Sequence, residues 1–131
     1  MARLILRYTC SWLIIAIVLF LSFFKVPQTP LEEVPFMDKW VHIVMYLVMS
    51  SSIWIEYLRS HTSVNNRKIT LGAFILPLLM SGGVEILQEF CTATRHGDIM
   101  DFVANCVGVI LGNILGHLVY KNLFLRKRKQ A

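Results

Sequence analysis

The apolar residues of this chain fall into four blocks, each long enough to cross the hydrocarbon core of a lipid bilayer. The blocks span about residues 8–24, 40–58, 69–90 and 100–124. A crossing helix needs about 20 residues at roughly 1.5 Å of rise each. Since the bilayer core offers no water to the backbone amides, we expect each block to be a helix. In a chain of 131 residues, the sequence therefore predicts one all-α domain over residues 1–131, a four-helix transmembrane bundle.

The positions of lysine and arginine predict how these helices are oriented. If the N-terminus is cytoplasmic, ten of the 13 Lys and Arg residues lie on the inner side and three on the outer side. The three outer residues are Lys25, Lys39 and Arg95. Because cytoplasmic connections carry the excess of positive charge, both termini are expected inside, in a multi-pass protein of the cytoplasmic (inner) membrane.

The net charge of +5 needs no nucleic acid to explain it. Much of it comes from the tail Arg126–Lys129, directly after the last block. There it favours the predicted orientation and attracts anionic headgroups. The expected partners are therefore membrane lipids, and no nucleic acid is expected.

The acidic residues gather on the opposite side. Seven of the eight lie at the predicted outer face: Glu32, Glu33, Asp38, Glu85, Glu89, Asp98 and Asp101. The exception is Glu56, for which we expect pairing with Arg59 three residues on. Ionisable groups below the headgroups are costly unless they face a bundle interior or a wet cavity. A polar cavity that opens outward is therefore predicted at this end.

Helical spacing places these polar residues on shared faces. Residues four apart lie on one face of a helix, which predicts three stripes: Asp38, His42 and Tyr46; Glu85, Gln88 and Glu89; and Asp101, Asn105, Gly108, Gly112 and Gly116. The glycines predict close helix packing. Pro77 predicts a kink in the third helix, and Gly82 and Gly83 leave its backbone open near the cluster.

Two motifs in this polar set resemble the VanZ-like membrane proteins, small bacterial helical domains named after an accessory protein of glycopeptide resistance. The resemblance covers about residues 38–116. The first is Asp38-Lys39, His42, Tyr46, and the second is Glu85-x-x-Gln88-x-Phe90, Arg95, Asp101, Asn105, Gly108, Gly112. This chain has Cys91–Thr94 where the family commonly places Pro or Gly before the arginine, a difference in loop shape.

The resemblance implies activity at the outer leaflet on phospholipid or polyprenyl-phosphate headgroups, with an effect on the envelope or on glycopeptide susceptibility. The residue types suit phosphoester chemistry. Arg95 offers a bidentate fork for a phosphate, and His42 is the natural general base or nucleophile. Asp38 or Asp101 would hold its imidazole in one tautomer, and Glu85 would donate a proton to the leaving oxygen.

The remaining predicted site residues would bind the substrate. Gln88 and Asn105 are expected to hydrogen-bond headgroup oxygens, and the motif residues Lys39 and Tyr46 complete the substrate-binding set. Each prediction has a structural alternative. His42 and Asn105 would join helices, Asp101 would cap the fourth helix, and Arg95 would neutralise acids. Glu89 and Asp98 are expected at the solvated rim.

Two other classes of protein remain open. One is a non-catalytic protein that binds a lipid headgroup. The other has a divalent metal held by Asp38, His42, Glu85 and Asp101, a ligand set that suits several ions although its spacing matches no metal motif. No cofactor is otherwise predicted. A transporter is least favoured, because no polar path reaches the inner side.

Overall fold

The computed structural model describes residues 6–24, 35–91 and 97–130, and these form four helices. Helix α1 is Thr9–Phe23 and α2 is Met37–Ser60, while α3 spans Asn66–Cys91 and α4 spans Ile99–Gln130. None of the described residues lies in a β-strand. The predicted all-α bundle is confirmed, and each helix overlaps the apolar block that predicted it.

Three of the helices are long and apolar enough to cross a membrane. They are α2, α3 and α4, with 24, 26 and 32 residues. Helix α1 is apolar but has 15 residues, about 22 Å at the usual rise, which is less than the roughly 30 Å of a hydrocarbon core. Three apolar helices of this length indicate a membrane protein.

Successive helices run in opposite directions. The two ends of the bundle carry different polar side chains. At one end, which we call the acidic end, Lys39 of α2 contacts Asp101 of α4. At the other, the basic end, Arg128 near the close of α4 donates to the Leu58 carbonyl oxygen near the close of α2. Polar contacts thus join α2 and α4 at both ends.

Helix α2 supplies most of the core. Its side chains Tyr46, Met49, Trp54 and Leu58 are buried, whereas large apolar residues on the outer faces of the helices, such as Leu79, are exposed. An exposed apolar surface around a packed interior is what a bilayer requires, since lipid chains cover such a surface without cost.

The glycine stripe of α4 packs against α2, as its spacing predicts. A Cβ added at Gly112 would lie 2.7 Å from the Ser50 Cβ and 2.9 Å from the Leu47 carbonyl oxygen. At Gly116 it would overlap the ring of Trp54. The absence of side chains therefore lets the two backbones approach closely and sets how deep α2 sits against α4.

Proline shapes the middle of α3. Because Pro77 has no amide hydrogen, it cannot donate to the carbonyl of Ala73, four residues earlier. The preceding turn, Leu71–Ile75, is π-helical. The Ala73 carbonyl oxygen instead accepts from Ser50 Oγ at 2.7 Å and from Asn113 Nδ2 at 2.8 Å. Neighbouring helices thus satisfy the group that proline leaves without its usual partner, as the low-polarity interior demands.

The prediction that Glu56 pairs with Arg59 is wrong. The carboxylate accepts from the backbone amide of Cys10 at 2.8 Å and from that of Ser11 at 3.0 Å. Both amides lie in the first turn of α1, where backbone donors have no partner within the helix and the dipole attracts negative charge. Glu56 therefore anchors the start of α1 to α2.

Candidate functional site

Lys39 is the centre of the polar cluster at the acidic end. Its Nζ lies 2.5 Å from Asp101 Oδ1, 2.6 Å from Asp98 Oδ2 and 3.0 Å from Asp38 Oδ2. A lysine in the first turn of a helix opposes the helix dipole, and three carboxylates offset that cost here. Its charge thereby joins the first turn of α2 to the start of α4.

Asp98, predicted at the solvated rim, caps α4. Its carboxylate accepts from the Met100 amide at 2.8 Å and also from Lys39. The hydrogen bond from Lys39 lowers the pKa of the Asp98 carboxyl below its ordinary value. Asp101, for which capping was the alternative to a functional role, lies inside the first turn. The sequence carries a signal for this, since Asp98-x-x-Asp101 has the spacing of a capping box.

His42 lies one turn below Lys39, between two side chains of α4. Its Nδ1 is 3.0 Å from Asn105 Oδ1, and its Nε2 is 3.5 Å from Asp101 Oδ2. Asp38, the other predicted partner of this imidazole, is 63% exposed and pairs with Lys39. Of the two carboxylates predicted to orient His42, Asp101 contacts the imidazole.

Glu85 approaches the cluster from α3. One carboxylate oxygen accepts from the backbone amide of Asp98 at 3.0 Å. The other is buried and has no hydrogen-bond partner within the part of the chain that the structure describes. A carboxyl group so placed can carry a proton on its free oxygen, the arrangement that a proton donor requires.

Asn105 and Tyr46 lie beneath His42, and both are almost completely buried. The Asn105 amide nitrogen donates to Ser81 Oγ of α3 at 2.8 Å, a partner that sequence analysis missed because nothing in a serine's local sequence identifies it. The hydroxyl of Tyr46 is buried beside Ser81. These residues support the cluster from inside the bundle, and neither is at its surface.

Gln88, one of the predicted substrate contacts, has a hydrogen-bond partner outside this cluster. Gln88 is buried, and its amide donates to the Ser22 carbonyl oxygen at 2.6 Å, which ties α3 to α1. Arg95, the predicted phosphate ligand, lies outside the described residues. The structure thus brings together Lys39, His42, Asp101 and Asn105, with Glu85 beside them.

An open groove adjoins the cluster between α3 and the start of α4. Its volume is about 360 Å³. Its lining is mostly apolar and consists of Gly82, Glu85, Ile86, Glu89, Phe90, Gly97, Asp98, Ile99 and Phe102. Ile86, Phe90 and Ile99 are strongly exposed, so the groove faces outward from the bundle. Glu85 and Asp98 belong both to the groove and to the polar cluster.

The proposed metal ligands Asp38, His42, Glu85 and Asp101 do not converge on one point. Among residues 6–24, 35–91 and 97–130, no three His, Cys, Asp or Glu side chains are placed to hold a metal ion together. The Lys39 ammonium occupies the position between the aspartates. The divalent-metal alternative therefore gains no support from this arrangement.

No family model, no curated protein and no solved structure matches this chain. The resemblance to VanZ-like proteins therefore stays a prediction from the motif residues. Within the described part of the chain, Lys39 and His42 of the first motif contact Asp101 and Asn105 of the second. The two motifs meet in space at the acidic end.

Proposed function

We propose that this protein binds a phosphate-bearing lipid, a phospholipid or a polyprenyl phosphate, and acts on its headgroup at the acidic end of the bundle. The observation that carries the proposal is that the polar cluster and the outward-facing apolar groove share Glu85 and Asp98. A lipid has the same division into a polar head and an apolar chain. An acyl or isoprenoid chain in the groove would place its headgroup at the cluster.

The proposed chemistry divides among four residues. Arg95 binds the phosphate through its guanidinium. His42 takes a proton from the attacking water or hydroxyl group, and Glu85 gives a proton to the leaving oxygen. Asp101, which neighbours His42 Nε2, stabilises the imidazolium that forms. The positive charge for the phosphate comes chiefly from Arg95, because Lys39 is already bound to three carboxylates.

The cellular setting belongs to the same proposal. We place the acidic end at the outer face of the cytoplasmic membrane, because lysine and arginine are concentrated at the other end of the bundle. The resemblance to VanZ-like proteins supports an effect on the cell envelope and on glycopeptide susceptibility. Both inferences follow from the sequence, and the sidedness is tested separately from lipid binding.

Mass spectrometry of lipids that copurify with the detergent-extracted protein tests lipid binding. We expect a phosphate-bearing lipid to be enriched over its level in the membrane, and we expect Gly82→Leu to reduce this enrichment severalfold. Gly82 lines the groove, and a Cβ there would lie 3.6 Å from the ring of Phe102 on its far wall. A leucine at this position would therefore fill the groove.

The adjacent glycine provides the matched control. A Cβ at Gly83 meets nothing within 4 Å, and Gly83 does not line the groove, so Gly83→Leu should retain the lipid. Lipid levels equal to those of the bulk membrane in the wild type, or equal enrichment in both variants, would contradict the proposal.

A non-catalytic lipid-binding protein is the second candidate. It is favoured by one observation, that Lys39 and His42 already have protein partners in the cluster. His42→Gln separates the two functions. For an enzyme, this variant should keep the bound lipid but make no product, and headgroup composition should differ between cells with the variant and the wild type. Identical lipid composition with retained binding would leave only the binding function.

A further inference from the structure

We infer that Asn105 and Ser81 are positioning residues that hold the His42 imidazole with its proton on Nδ1, which leaves Nε2 as the nitrogen that exchanges a proton with a substrate. The assignment of a substrate to Nε2 rests on the proposed function. The choice of tautomer rests on the hydrogen bonds alone. It replaces the expectation that a carboxylate orients this ring.

The Asn105 amide directs its nitrogen toward α3. Its Nδ2 donates to Ser81 Oγ at 2.8 Å. Ser81 is 0% exposed and Asn105 is 1% exposed, so water does not compete for this bond. With the amide nitrogen bound to α3, the carbonyl oxygen of Asn105 faces His42 on α2.

The contact with Asn105 decides which nitrogen of the His42 ring carries the proton. His42 Nδ1 lies 3.0 Å from Asn105 Oδ1, a normal hydrogen-bond distance. An amide oxygen can only accept, so Nδ1 must be the donor. In the neutral ring, Nε2 then carries the lone pair.

The Nε2 nitrogen of His42 lies beside Asp101. Among the described residues, the carboxylate oxygen paired with Nε2 is Asp101 Oδ2 at 3.5 Å, beyond the usual range for a hydrogen bond. The other oxygen of Asp101 is bound by Lys39, and Glu85 and Asp98 also lie at this end of the bundle. Nε2 is therefore free to accept a proton, and the imidazolium that results would face a carboxylate that stabilises it.

The opposite tautomer would give His42 a structural role. If the Asn105 amide were reversed, its nitrogen would donate to Nδ1, and Nε2–H would point at Asp101. Both nitrogens would then be engaged by the protein, and no basic nitrogen would remain. His42 would be a structural residue that joins α2 to α4. The tautomer thus distinguishes a reacting histidine from a structural one.

Nitrogen-15 NMR of the full-length protein in detergent micelles, labelled at the histidine rings, tests this inference. The chain has four histidines, and the signals of His42 are those lost in His42→Gln. Across a pH series, we expect the neutral form of His42 to show a protonated Nδ1 and an unprotonated Nε2. Free histidine in water prefers the other tautomer, so this result would not arise without the Asn105 contact.

Two serine variants test the positioning role. Ser81→Ala removes the acceptor for the Asn105 amide, which is then free to reverse, and the Nδ1–H population of His42 should fall severalfold. Ser50→Ala is the matched control. Ser50 Oγ accepts from Asn113 Nδ2 at 3.0 Å, the same kind of bond two turns further along α4, and this variant should leave the His42 spectrum unchanged.

The outcomes are separable from those of the lipid experiment. A wild-type His42 protonated on Nε2 overturns the inference, whether or not the variants fold. An undiminished Nδ1–H population in folded Ser81→Ala overturns the role of Ser81. A protein with the expected tautomer that enriches no phosphate-bearing lipid would contradict only the proposed function.

Discussion

Single residues at the acidic end have partners that depend on a few ångströms of helix placement. Lys39 is the clearest case, because one ammonium group holds carboxylates from its own helix and from the start of α4. Lysine is usually a flexible surface residue that gains little from an ion pair. Here its side chain is only 20% exposed, so its loss would leave several negative charges close together in a partly desolvated place.

We predict that Lys39→Met destabilises the folded protein by roughly 2 kcal/mol, the usual scale for losing a hydrogen bond to a charged group. Thermal unfolding in detergent, followed by circular dichroism, measures this. Lys68→Met is the control, since Lys68 is exposed and takes no part in the cluster. Equal melting temperatures for the two variants would show that the cluster adds nothing to stability.

The wild type and Lys39→Met should also differ in their response to acid, measured by thermal unfolding at a series of acidic pH values. Because Lys39 lowers the pKa of Asp98 in the folded state, the unfolded chain takes up the proton first as the pH falls. The stability from this contact is complete above the ordinary aspartate pKa of about 3.9 and is lost as the pH drops through the lower folded value. The wild type should therefore lose stability more steeply over this range than Lys39→Met. The difference should be small, because Asp98 is 44% exposed and solvent screens its interaction with Lys39.

At the scale of helices, the contact between α2 and α4 positions the site. His42 and Lys39 are on α2, whereas Asp101 and Asn105 are on α4, so their distances depend on how deeply the two helices pack. The glycine stripe allows that depth, and polar contacts at both ends of the bundle fix the register. The spacing of small residues predicted this packing, because a glycine every four residues leaves one face of a helix without side chains.

We predict that Gly112→Ala destabilises the protein by about 1 to 3 kcal/mol, the usual cost of inserting atoms into a packed interior. The new methyl group would lie 2.7 Å from Ser50 Cβ and 2.9 Å from the Leu47 backbone. Gly83→Ala on α3 is the control, because open space surrounds that position and alanine favours the helix. Chemical unfolding in mixed micelles gives both values. A Gly112→Ala protein as stable as Gly83→Ala would mean that α2 and α4 do not pack this closely.

At the scale of the whole molecule, the two ends of the bundle differ in charge in a way that suits a membrane protein. Carboxylates gather at one end, and the basic residues at the other include Arg128, whose guanidinium donates to the Leu58, His61 and Thr62 carbonyl oxygens. A cation is favourable there because the carbonyls at the C-terminal end of a helix lack partners. This contact keeps the end of α4 beside the connection between α2 and α3.

We predict that a reporter fused after Ala131 lies in the cytoplasm, because ten of the 13 Lys and Arg residues would then be on the inner side. Two fusions measure the location of the C-terminus. One carries a fluorescent reporter that is active only in the cytoplasm, and the other carries alkaline phosphatase, which is active only outside it. As an independent check, a membrane-impermeant maleimide should label Cys91, which is exposed at the acidic end, in intact cells. A tail that reads as external would reverse the sidedness of the site.

The sequence by itself determined the number of helices, their approximate limits and the gathering of polar residues at one end. These follow from the length of apolar blocks and from periodicity, both of which are local properties of the chain. Asn65 and Asp98 then begin α3 and α4 through side-chain caps, a few residues before the apolar blocks.

Only the tertiary structure decided which polar groups meet. It paired His42 with Asn105 and Asp101 and left Asp38 beside Lys39. It also turned Gln88 toward α1 and Glu56 toward the amides at the start of α1. The physical reason is that periodicity tells which residues share a face of one helix, whereas their partners depend on the rotation and depth of the neighbouring helix. Those are set by the packing of every side chain between the helices, and above all by the glycines that bring α4 against α2.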